Sequence, residues 1–544
     1  MPGRPWLAYF RPHPGSETPA WMRLFIAAVS GAALSFSYAG FYLSIYSWVC
    51  LGILLIALFG ASPRVAYACG FLHGICFVLT SVPWIAEVLA VHGGLSRAGG
   101  WGVLLLIATV WGAVNGAVTW AIHRLSLRSI TLACVGTPFL WVTFEMIRNR
   151  LPEISFPWNL LGYPAATNVT LVQLTTFTGI YGLSFVVAAF NALLAWSDAD
   201  TKHSPKHRLA ILVGAAVLVL VAMTAGPRFV PKAVANHTAR AVQLNFPEAQ
   251  DYPNDWFTQH ASDLDEIQRF SLAPSANHPD LLIWPEAPAP FSYQDGQFAH
   301  LASTLATRFQ HPFIVGVVEW KQESISAGGT SHTITAPYNS ALMFDGQGHR
   351  EFSYDKVHLV PFGEYEPFPL IHRVVSNVSS EVGGFRKGTK YAVGQFSNGY
   401  SFGVFICYEA IYPNEIRRFA ANGAQLFVNI SNDGWFGHSA AAEQHLRMAR
   451  VRAVENRRWI VRTTNNGITV SIDPYGRIFR PLPQDVRAAA DLPYDFRTDK
   501  TLYTRFGDWF AWLCVLVSAI LLALTFRKAV QRPDQAAGRT LNTT

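Results

Sequence analysis

The sequence predicts a polytopic α-helical membrane domain of seven spans, followed by an α/β domain and one C-terminal span. Of the 544 residues, 51% are hydrophobic and only 14% are charged, against roughly 25% charged residues in soluble domains. The apolar residues form long uninterrupted blocks before about residue 230. The following sequence alternates short β-rich runs with helical patterns. These three observations together indicate a membrane protein that carries a large globular domain.

Eight apolar blocks are long enough to cross a bilayer, which requires about 20 mostly apolar residues. They cover residues 24–40, 41–61, 65–85, 101–123, 129–147, 171–196, 208–226 and 509–526. Arg23 precedes the first block, as in a signal peptide, but no clean Ala-x-Ala cleavage site follows it and further spans come directly after, so a retained helix is expected. The predicted segments are an N-terminus (1–23), a seven-helix membrane domain (24–226), a linker (227–237), a globular domain (238–496), a second linker (497–508), a final span (509–526) and a tail (527–544).

The distribution of Lys and Arg predicts the orientation, because cytoplasmic loops carry an excess of these residues. With a cytoplasmic N-terminus, the basic residues on the cytoplasmic side are Arg4, Arg11, Arg23, Arg64, Arg124, Arg128, Lys202, Lys206, Arg208, Arg527, Lys528, Arg532 and Arg539. The short opposite loops contain only Arg97, Arg148 and Arg150. The globular domain is therefore predicted to lie outside the cytoplasm. The same asymmetry explains the net charge of +7, so no nucleic-acid partner is expected.

The globular region is predicted to be an α/β layered domain, because β-rich runs alternate with helical patterns. The predicted strands are Thr238–Leu244, Leu281–Trp284, Phe313–Glu319, Ser340–Phe344, Ser401–Ile406 and Gln425–Ile430. The predicted helices are Asp255–Phe270, Phe298–Phe309, Pro413–Asn422 and Ala441–Trp459. Asn466–Gly467 separates two further β-rich runs and predicts a hairpin.

Cys407 is the only cysteine of the globular region, and the other five lie within or beside the apolar blocks. A lone thiol outside the cytoplasm is either a buried, inert residue or a functional one. Cys407 ends a predicted strand and precedes a helix, an arrangement that exposes a nucleophile and directs backbone N–H groups at its substrate. A helix N-terminus and a nearby lysine would lower the pKa of this thiol.

Two other segments carry candidate catalytic side chains. Glu286 directly follows an apolar strand, and a carboxylate at such a strand end faces a ligand crevice. Lys356 lies among apolar and aromatic residues in the segment Tyr354–Glu364. Taken singly, Glu286 could also be a solvated loop charge and Lys356 a surface lysine over an apolar patch.

Taken in order, these segments resemble the Glu–Lys–Cys triad of the nitrilase (carbon–nitrogen hydrolase) superfamily. The order of the whole chain, with seven spans, a nitrilase-like domain and a final span, resembles that of the bacterial apolipoprotein N-acyltransferase family. This resemblance covers nearly the whole chain. The supporting motifs are Phe156–Asn159, Val360–Tyr365, Cys407–Glu409 and Asn432–Phe436. The resemblance implies an αββα sandwich for residues 238–496.

The resemblance also implies an activity, the last step of lipoprotein maturation. A fatty acyl chain would pass from a phospholipid to the α-amine of an S-diacylglyceryl cysteine, by a ping-pong mechanism through a Cys407 thioester. Glu286 would accept protons, and Lys356 with the backbone N–H of Tyr408 would stabilise the oxyanion. Glu364 and Glu409 match further acidic residues of the family, and Trp256 corresponds to a family tryptophan.

The resemblance implies no cofactor and no metal, and a monomer in the bacterial inner membrane with its catalytic domain in the periplasm. Two alternatives remain open from the residues alone. One is a membrane-anchored amidase that passes the acyl group to water, although seven spans exceed what an anchor needs. The other is a transporter or receptor with an inactive sensor domain, which an intact Glu–Lys–Cys set disfavours. No H-E-x-x-H or C-x-x-C pattern occurs to support zinc.

Two features beyond the triad are also predicted. Glu145 and Arg148 lie near the end of the fifth span, and ionisable residues at membrane depth usually pair or serve a pathway; of the two, a structural ion pair is expected there. The loop 362–371, with Phe362, Tyr365, Phe368, Leu370 and Ile371, is predicted to lie at the membrane interface.

Overall fold

The computed structural model describes residues 18–39, 41–151, 155–247, 252–287, 289–327, 330–365 and 384–526. Of the predicted interfacial loop, Phe368, Leu370 and Ile371 lie outside these residues. The helices of the first half and the final helix are α1 (Ala20–Ser35), α2 (Cys50–Leu58), α3 (Pro63–Ser81), α4 (Trp84–Val91), α5 (Arg97–Ser126), α6 (Ile130–Arg148), α7 (Thr175–Thr178), α8 (Ile180–Ala199), α9 (Pro205–Thr224) and α16 (Trp509–Phe526).

In the described part of the chain, seven helical segments are long and apolar enough to cross a membrane. They are α1, α3, α5, α6, α8, α9 and α16, with α1 extended to Tyr38 and α9 to Arg228 by single 3₁₀ turns. The predicted span 41–61 instead forms a 3₁₀ helix (Phe41–Trp48) and the short α2. Asn191 bridges this break, because its amide donates to Ser47 O (2.8 Å) and its carbonyl accepts from Gly52 N–H (2.7 Å).

The predicted span 171–196 begins as a 3₁₀ helix (Leu171–Leu174) and the short α7, and the long helix α8 starts only at Ile180. Gly179 separates them with a φ of +65°, a conformation that favours glycine. Glu145 and Arg148 do not form the predicted direct ion pair. Glu145 accepts from Leu161 N–H (2.7 Å), and Arg148 donates to Trp158 O (2.5 Å), so both fix the segment after α6.

The globular domain contains two six-stranded sheets. Its strands are β1 (His237–Gln243), β2 (Leu281–Ile283), β3 (Phe313–Ala327), β4 (Thr330–Phe344), β5 (Arg350–Asp355), β6 (Val393–Gln395), β7 (Ser401–Ile406), β8 (Leu426–Ser431), β9 (Ile460–Thr464), β10 (Val470–Ile472), β11 (Ile478–Phe479) and β12 (Ala488–Tyr494). The sheet orders are β12-β1-β2-β3-β4-β5 and β11-β10-β9-β8-β7-β6. β1–β2–β3 and β7–β8–β9 are parallel, and the outer pairs are antiparallel.

The two sheets face each other with helices on their outer sides. The helices of this domain are α10 (Trp256–Gln259), α11 (Ala261–Leu272), α12 (Gly296–Phe309), α13 (Pro413–Ala421), α14 (Ala441–Asn456) and α15 (Leu502–Phe506). Side chains alternate along each strand: Leu281 and Ile283 pack between the sheets, and Leu282 packs against α11 and α12. The predicted αββα sandwich is therefore confirmed, as is the antiparallel β9–β10 hairpin.

The long apolar helices share one hydrophobic core with part of the globular domain, namely the segment around Tyr408 and Tyr412 and helix α14. Tyr408, Tyr412 and Met448 belong to the same buried cluster as the long apolar helices. Hydrogen bonds join Arg447 to Ser37 O (3.2 Å), Gln444 to Ser81 O (3.1 Å) and Ile180 N–H to Glu455 (2.9 Å). These contacts lie at the end of the helix bundle opposite to the basic loops at Arg124–Arg128 and Lys202–Arg208.

Candidate active site

Cys407 lies at an elbow between β7 and a short 3₁₀ helix (Cys407–Ile411), after which α13 begins at Pro413. Its φ is +47°, in the left-handed region that non-glycine residues rarely adopt. Such backbone strain of about 1–3 kcal/mol persists only where the surroundings enforce it. The elbow that the sequence predicted is present, and its strain marks Cys407 as a residue held in place by its neighbours.

Glu286 and Lys356 reach the same point from the opposite sheet, where Glu286 follows β2 and Lys356 follows β5. Lys356 Nζ lies 3.1 Å from Glu286 Oε1 and 2.9 Å from Glu364 Oε1. Lys356 is 1% exposed and Glu286 is 6% exposed. Burial acts to lower the pKa of Lys356, but the charges of Glu286 and Glu364 prevail and raise it. The lysine is therefore a fixed cation, neither a surface lysine nor a base.

Glu286 is held as an acceptor from three sides. Its Oε1 accepts from Lys356 Nζ and Asn339 Nδ2 (2.7 Å), and its Oε2 accepts from Asn432 N–H (2.8 Å). The Asn339 amide also donates to Glu364 (2.6 Å), and the backbone carbonyl of Asn339 accepts from Lys356 N–H (2.9 Å). Sequence reasoning missed Asn339, because nothing in the run around it distinguishes it from an ordinary strand residue.

The thiol of Cys407 differs from the prediction. The residue is 5% exposed. Burial raises the pKa of the Cys407 thiol, the charge of Glu286 raises it further, and Lys356 offsets this only in part. Because two carboxylates already balance the charge of Lys356, the lysine does not bring the pKa of this thiol below its ordinary value, contrary to the sequence prediction. A thiol with a raised pKa needs a neighbouring base to take its proton when it reacts.

Glu409 fastens the elbow rather than forming an ion pair. Its Oε2 accepts from Ile406 N–H (2.7 Å), just before the nucleophile. Its Oε1 accepts from Tyr354 Oη (2.7 Å), Val357 N–H (2.8 Å) and His358 N–H (3.1 Å), all close to Lys356 in the chain. One buried carboxylate therefore ties the segment that carries Cys407 to the segment that carries Lys356.

The remaining predicted residues occupy two different places. Tyr408 directly follows Cys407 and is buried, with its hydroxyl 3.3 Å from that of Tyr412. Trp256 is buried at the start of α10, where it stacks on His260 at 4.5 Å and contacts Phe246. No ring contact in the described part of the chain joins Trp256 to the triad residues; its ring partners are Phe246, Tyr252, Phe257, His260 and Phe291.

A second polar cluster lies behind Cys407 and was also missed by sequence reasoning. His445 Nε2 lies 2.9 Å from Cys407 O, and His445 Nδ1 lies 3.1 Å from Asp433 Oδ1. Arg462 contacts Asp433 Oδ2 at 2.6 Å, and all three side chains are fully buried. His445 lies on α14, Asp433 lies just after β8, and Arg462 lies on β9. Only the fold brings these three residues together.

Cys407, Asp433 and His445 have ligand atoms close enough to hold a metal ion, within 4.8 Å of one another. The donor set does not fit one. Both nitrogens of His445 already have hydrogen-bond partners, and the guanidinium of Arg462 occupies the carboxylate and would repel a cation. The cluster is therefore a hydrogen-bond network around Cys407.

Two family models match the chain. Carbon-nitrogen hydrolase matches residues 238–493, and the apolipoprotein N-acyltransferase N-terminal domain matches residues 30–193. The first contains the Glu286, Lys356 and Cys407 segments, and the second contains most of the membrane helices.

Curated relatives match over nearly the full length. The apolipoprotein N-acyltransferase of Geobacter metallireducens is 31% identical over 92% of this chain and 95% of its own. That of Azotobacter vinelandii is 30% identical over 94% and 96%. Among solved structures, an amidase from Nesterenkonia sp. AN1 covers 50% of this chain and 96% of its own, at 18% identity and a TM-score of 0.35.

Proposed function

This chain belongs to the apolipoprotein N-acyltransferase family, and we propose that Cys407 carries the acyl group between the two substrates of that reaction. The enzyme is an acyltransferase and a multi-pass bacterial membrane protein. The observation that carries the proposal is that the charges of Glu286 and Lys356 both act on the thiol of Cys407. The domain that holds these residues shares a hydrophobic core with the membrane helices.

The first half-reaction forms a thioester. Glu286 Oε2 accepts only one hydrogen bond from the described backbone groups and keeps a lone pair for the Cys407 proton. The sulfur then attacks an ester carbonyl of a phospholipid. Lys356 and the Tyr408 N–H stabilise the resulting oxyanion, and one such donor contributes about 3 kcal/mol. When the intermediate collapses, Glu286 returns its proton to the leaving alcohol, and a lysophospholipid departs.

The second half-reaction releases the acyl chain to an amine. The α-amine of the S-diacylglyceryl cysteine of an apolipoprotein attacks the thioester carbonyl and gives up a proton to Glu286. The same oxyanion donors act again, the carbon–sulfur bond breaks, and the departing sulfur regains a proton from Glu286. Two moderate steps thereby replace one difficult step, with no cofactor and no metal.

The proposed setting is the periplasmic face of the inner membrane, with the enzyme acting as a monomer. Both substrates are lipid-anchored, so the site has to lie beside the bilayer. The contacts of Tyr408 and Tyr412 with the core of the membrane helices support this arrangement, because they bring the elbow next to the helix ends. Glu364 and Asn339 hold Lys356 and Glu286 during both steps.

The decisive experiment detects the acyl-enzyme. Purified protein in mixed micelles is incubated with an isotopically labelled phospholipid, and the Cys407 peptide is analysed by mass spectrometry. A labelled acyl group that hydroxylamine removes is expected, and Cys407→Ser should lose it. An unmodified Cys407 under turnover conditions would contradict the proposal.

Adding a diacylglyceryl peptide then separates transfer from hydrolysis. The adduct should disappear as the N-acylated peptide forms in equal amount. Release of free fatty acid with an unchanged peptide would indicate the amidase-like alternative, in which water takes the acyl group.

A further inference from the structure

The carbonyl of Cys407 is fixed by a residue that lies outside the triad. Because Cys407 O can only accept a hydrogen bond, the contact at 2.9 Å requires a proton on His445 Nε2. Burial and the charge of Arg462 lower the pKa of His445, and Asp433 acts in the opposite direction. On the other edge of the ring, Nδ1 lies 3.1 Å from Asp433 Oδ1 and 3.3 Å from Arg462 Nη2. The orientation of the ring is thereby fixed by Asp433 and Arg462 on one side and by the carbonyl of Cys407 on the other.

Asp433 connects Arg462, His445 and Ser431. Its Oδ2 pairs with Arg462, its Oδ1 lies 3.1 Å from His445 Nδ1, and the same oxygen accepts from Ser431 Oγ (2.7 Å). Ser431 acts to lower the pKa of the Cys407 thiol, although burial and Glu286 prevail and raise it. The cluster therefore contacts Cys407 at its backbone carbonyl through His445.

The membrane domain holds His445 in turn. Trp158, in the segment after α6, stacks on the His445 ring with centroids 5.7 Å apart, and its indole N–H donates to Gln444 Oε1 (2.6 Å). The Gln444 amide donates to Ser81 O at the end of α3 (3.1 Å). Phe436 contacts His445 edge-on and Trp84 of α4. Neighbouring residues of α14 thus face the nucleophile and the membrane helices at the same time.

We propose that His445 is a positioning residue that holds the left-handed backbone of Cys407 through its Nε2–H, and that Gln444 transmits the placement of the membrane helices to it. This inference rests on the proposed role of Cys407. In this proposal, the membrane domain anchors the enzyme and also helps to hold the nucleophile in position. A shift of about 1 Å at a reacting atom costs about 100-fold in rate, and this is the effect expected when the support is removed.

The test compares three substitutions of His445 in the full-length protein by the rate of acyl-Cys407 formation. Glutamine places an N–H near the position of Nε2, asparagine near that of Nδ1, and phenylalanine keeps the ring shape without a donor. We expect His445→Phe and His445→Asn to slow acylation by about 100-fold, and His445→Gln to stay within about tenfold of the unaltered protein. The rescue by glutamine alone separates a donor role from packing. Equal impairment by Gln and Phe, or no impairment by Phe, would overturn the proposal.

Two further variants complete the test. His237→Phe is the matched control, because His237 also pairs with an aspartate, Asp280, and contacts an aromatic ring, yet lies at the start of β1. It should acylate normally. Gln444→Leu keeps His445 and is informative even if the His445 variants fail to fold. It should slow acylation, and His445→Phe/Gln444→Leu should be no slower than His445→Phe alone. Full additivity would refute the link to the membrane helices. Absence of the acyl-Cys407 adduct in the unaltered protein would instead contradict the proposed function.

Discussion

At the scale of single residues, the proposed nucleophile Cys407 is not activated by the lysine beside it. Lys356 is placed to stabilise charge but is already balanced by Glu286 and Glu364. Burial and Glu286 raise the pKa of Cys407. A protonated thiol resists oxidation and alkylation, since the thiolate is the reactive form. In the proposed mechanism, the reactivity of Cys407 is therefore confined to the moment at which a substrate carbonyl and Glu286 act together.

Glu286→Gln should separate ionisation of the thiol from catalysis. Removal of the carboxylate charge leaves Lys356 to act on the sulfur, so the pKa of Cys407 should fall. Alkylation of the Cys407 peptide by iodoacetamide should then begin at lower pH than in the unaltered protein. Acyl transfer should nevertheless fall by at least about 100-fold, because the general base is gone.

The measurement is the pH profile of Cys407 alkylation by mass spectrometry, with lipid absent. In the unaltered protein the rate should still rise above pH 8.5, the approximate pKa of an ordinary thiol. A plateau below pH 7 in the unaltered protein would mean a preformed thiolate and would contradict the burial argument.

Sequence reasoning located the triad candidates but not their partners. Glu286 and Cys407 each follow a predicted strand, and Lys356 stands out as a lysine among apolar and aromatic residues. Asn339 and His445 are recognisable only once sheets from distant segments pack together. The same holds for the thiol pKa, since desolvation depends on packing that local sequence does not specify.

At the scale of secondary structure, the α/β layering followed from the alternation of β-rich runs with helical patterns, and the β9–β10 hairpin followed from Asn466–Gly467. The breaks in the predicted spans could not be foreseen in this way. The break before α2 depends on Asn191, which is distant in sequence, and the late start of α8 depends on Gly179. Hydropathy measures the apolar content of a window and cannot register a single hydrogen-bonding partner elsewhere.

Gly316 on β3 should be a position where no side chain is tolerated. A Cβ there would lie 2.5 Å from Glu286 Cα and 2.6 Å from Pro285 O. Gly316→Ala should therefore push the Glu286 backbone away from Lys356. The expected result is a loss of acyl transfer of about 100-fold, together with destabilisation of about 1–3 kcal/mol from overpacking.

The control is Gly296→Ala at the start of α12, where an added Cβ meets nothing within 4 Å. Steady-state acyl transfer and thermal unfolding measure both effects. If Gly316→Ala retained the control's activity, the position of Glu286 would not depend on this close approach of β3.

At the scale of the whole molecule, the bundle and the sandwich form one body in which α14 belongs to both. Ala441, Met448 and Val451 pack with the membrane helices, and Leu446, Ala449 and Ala453 pack with the sheets. Arg452 and Glu455 pair in full burial between them, and Glu455 also accepts from the first N–H of α8. Breaking such a buried pair costs about 3–5 kcal/mol, so the two parts are expected to unfold together.

The packing of the two parts determines on which side of the membrane the globular domain lies, because every described contact between the parts is at one end of the helix bundle. The Lys and Arg distribution predicts that this end is periplasmic. Single cysteines at two exposed positions test it, Asn398→Cys on the catalytic domain and Thr201→Cys in the loop between α8 and α9. In intact spheroplasts, a membrane-impermeant maleimide should label position 398 and not position 201, and after lysis it should label both. The background should be low, because five of the six native cysteines are buried and the sixth, Cys76, lies within α3. Labelling of position 201 but not of position 398 in intact spheroplasts would mean the inverted topology and would contradict the proposed periplasmic site.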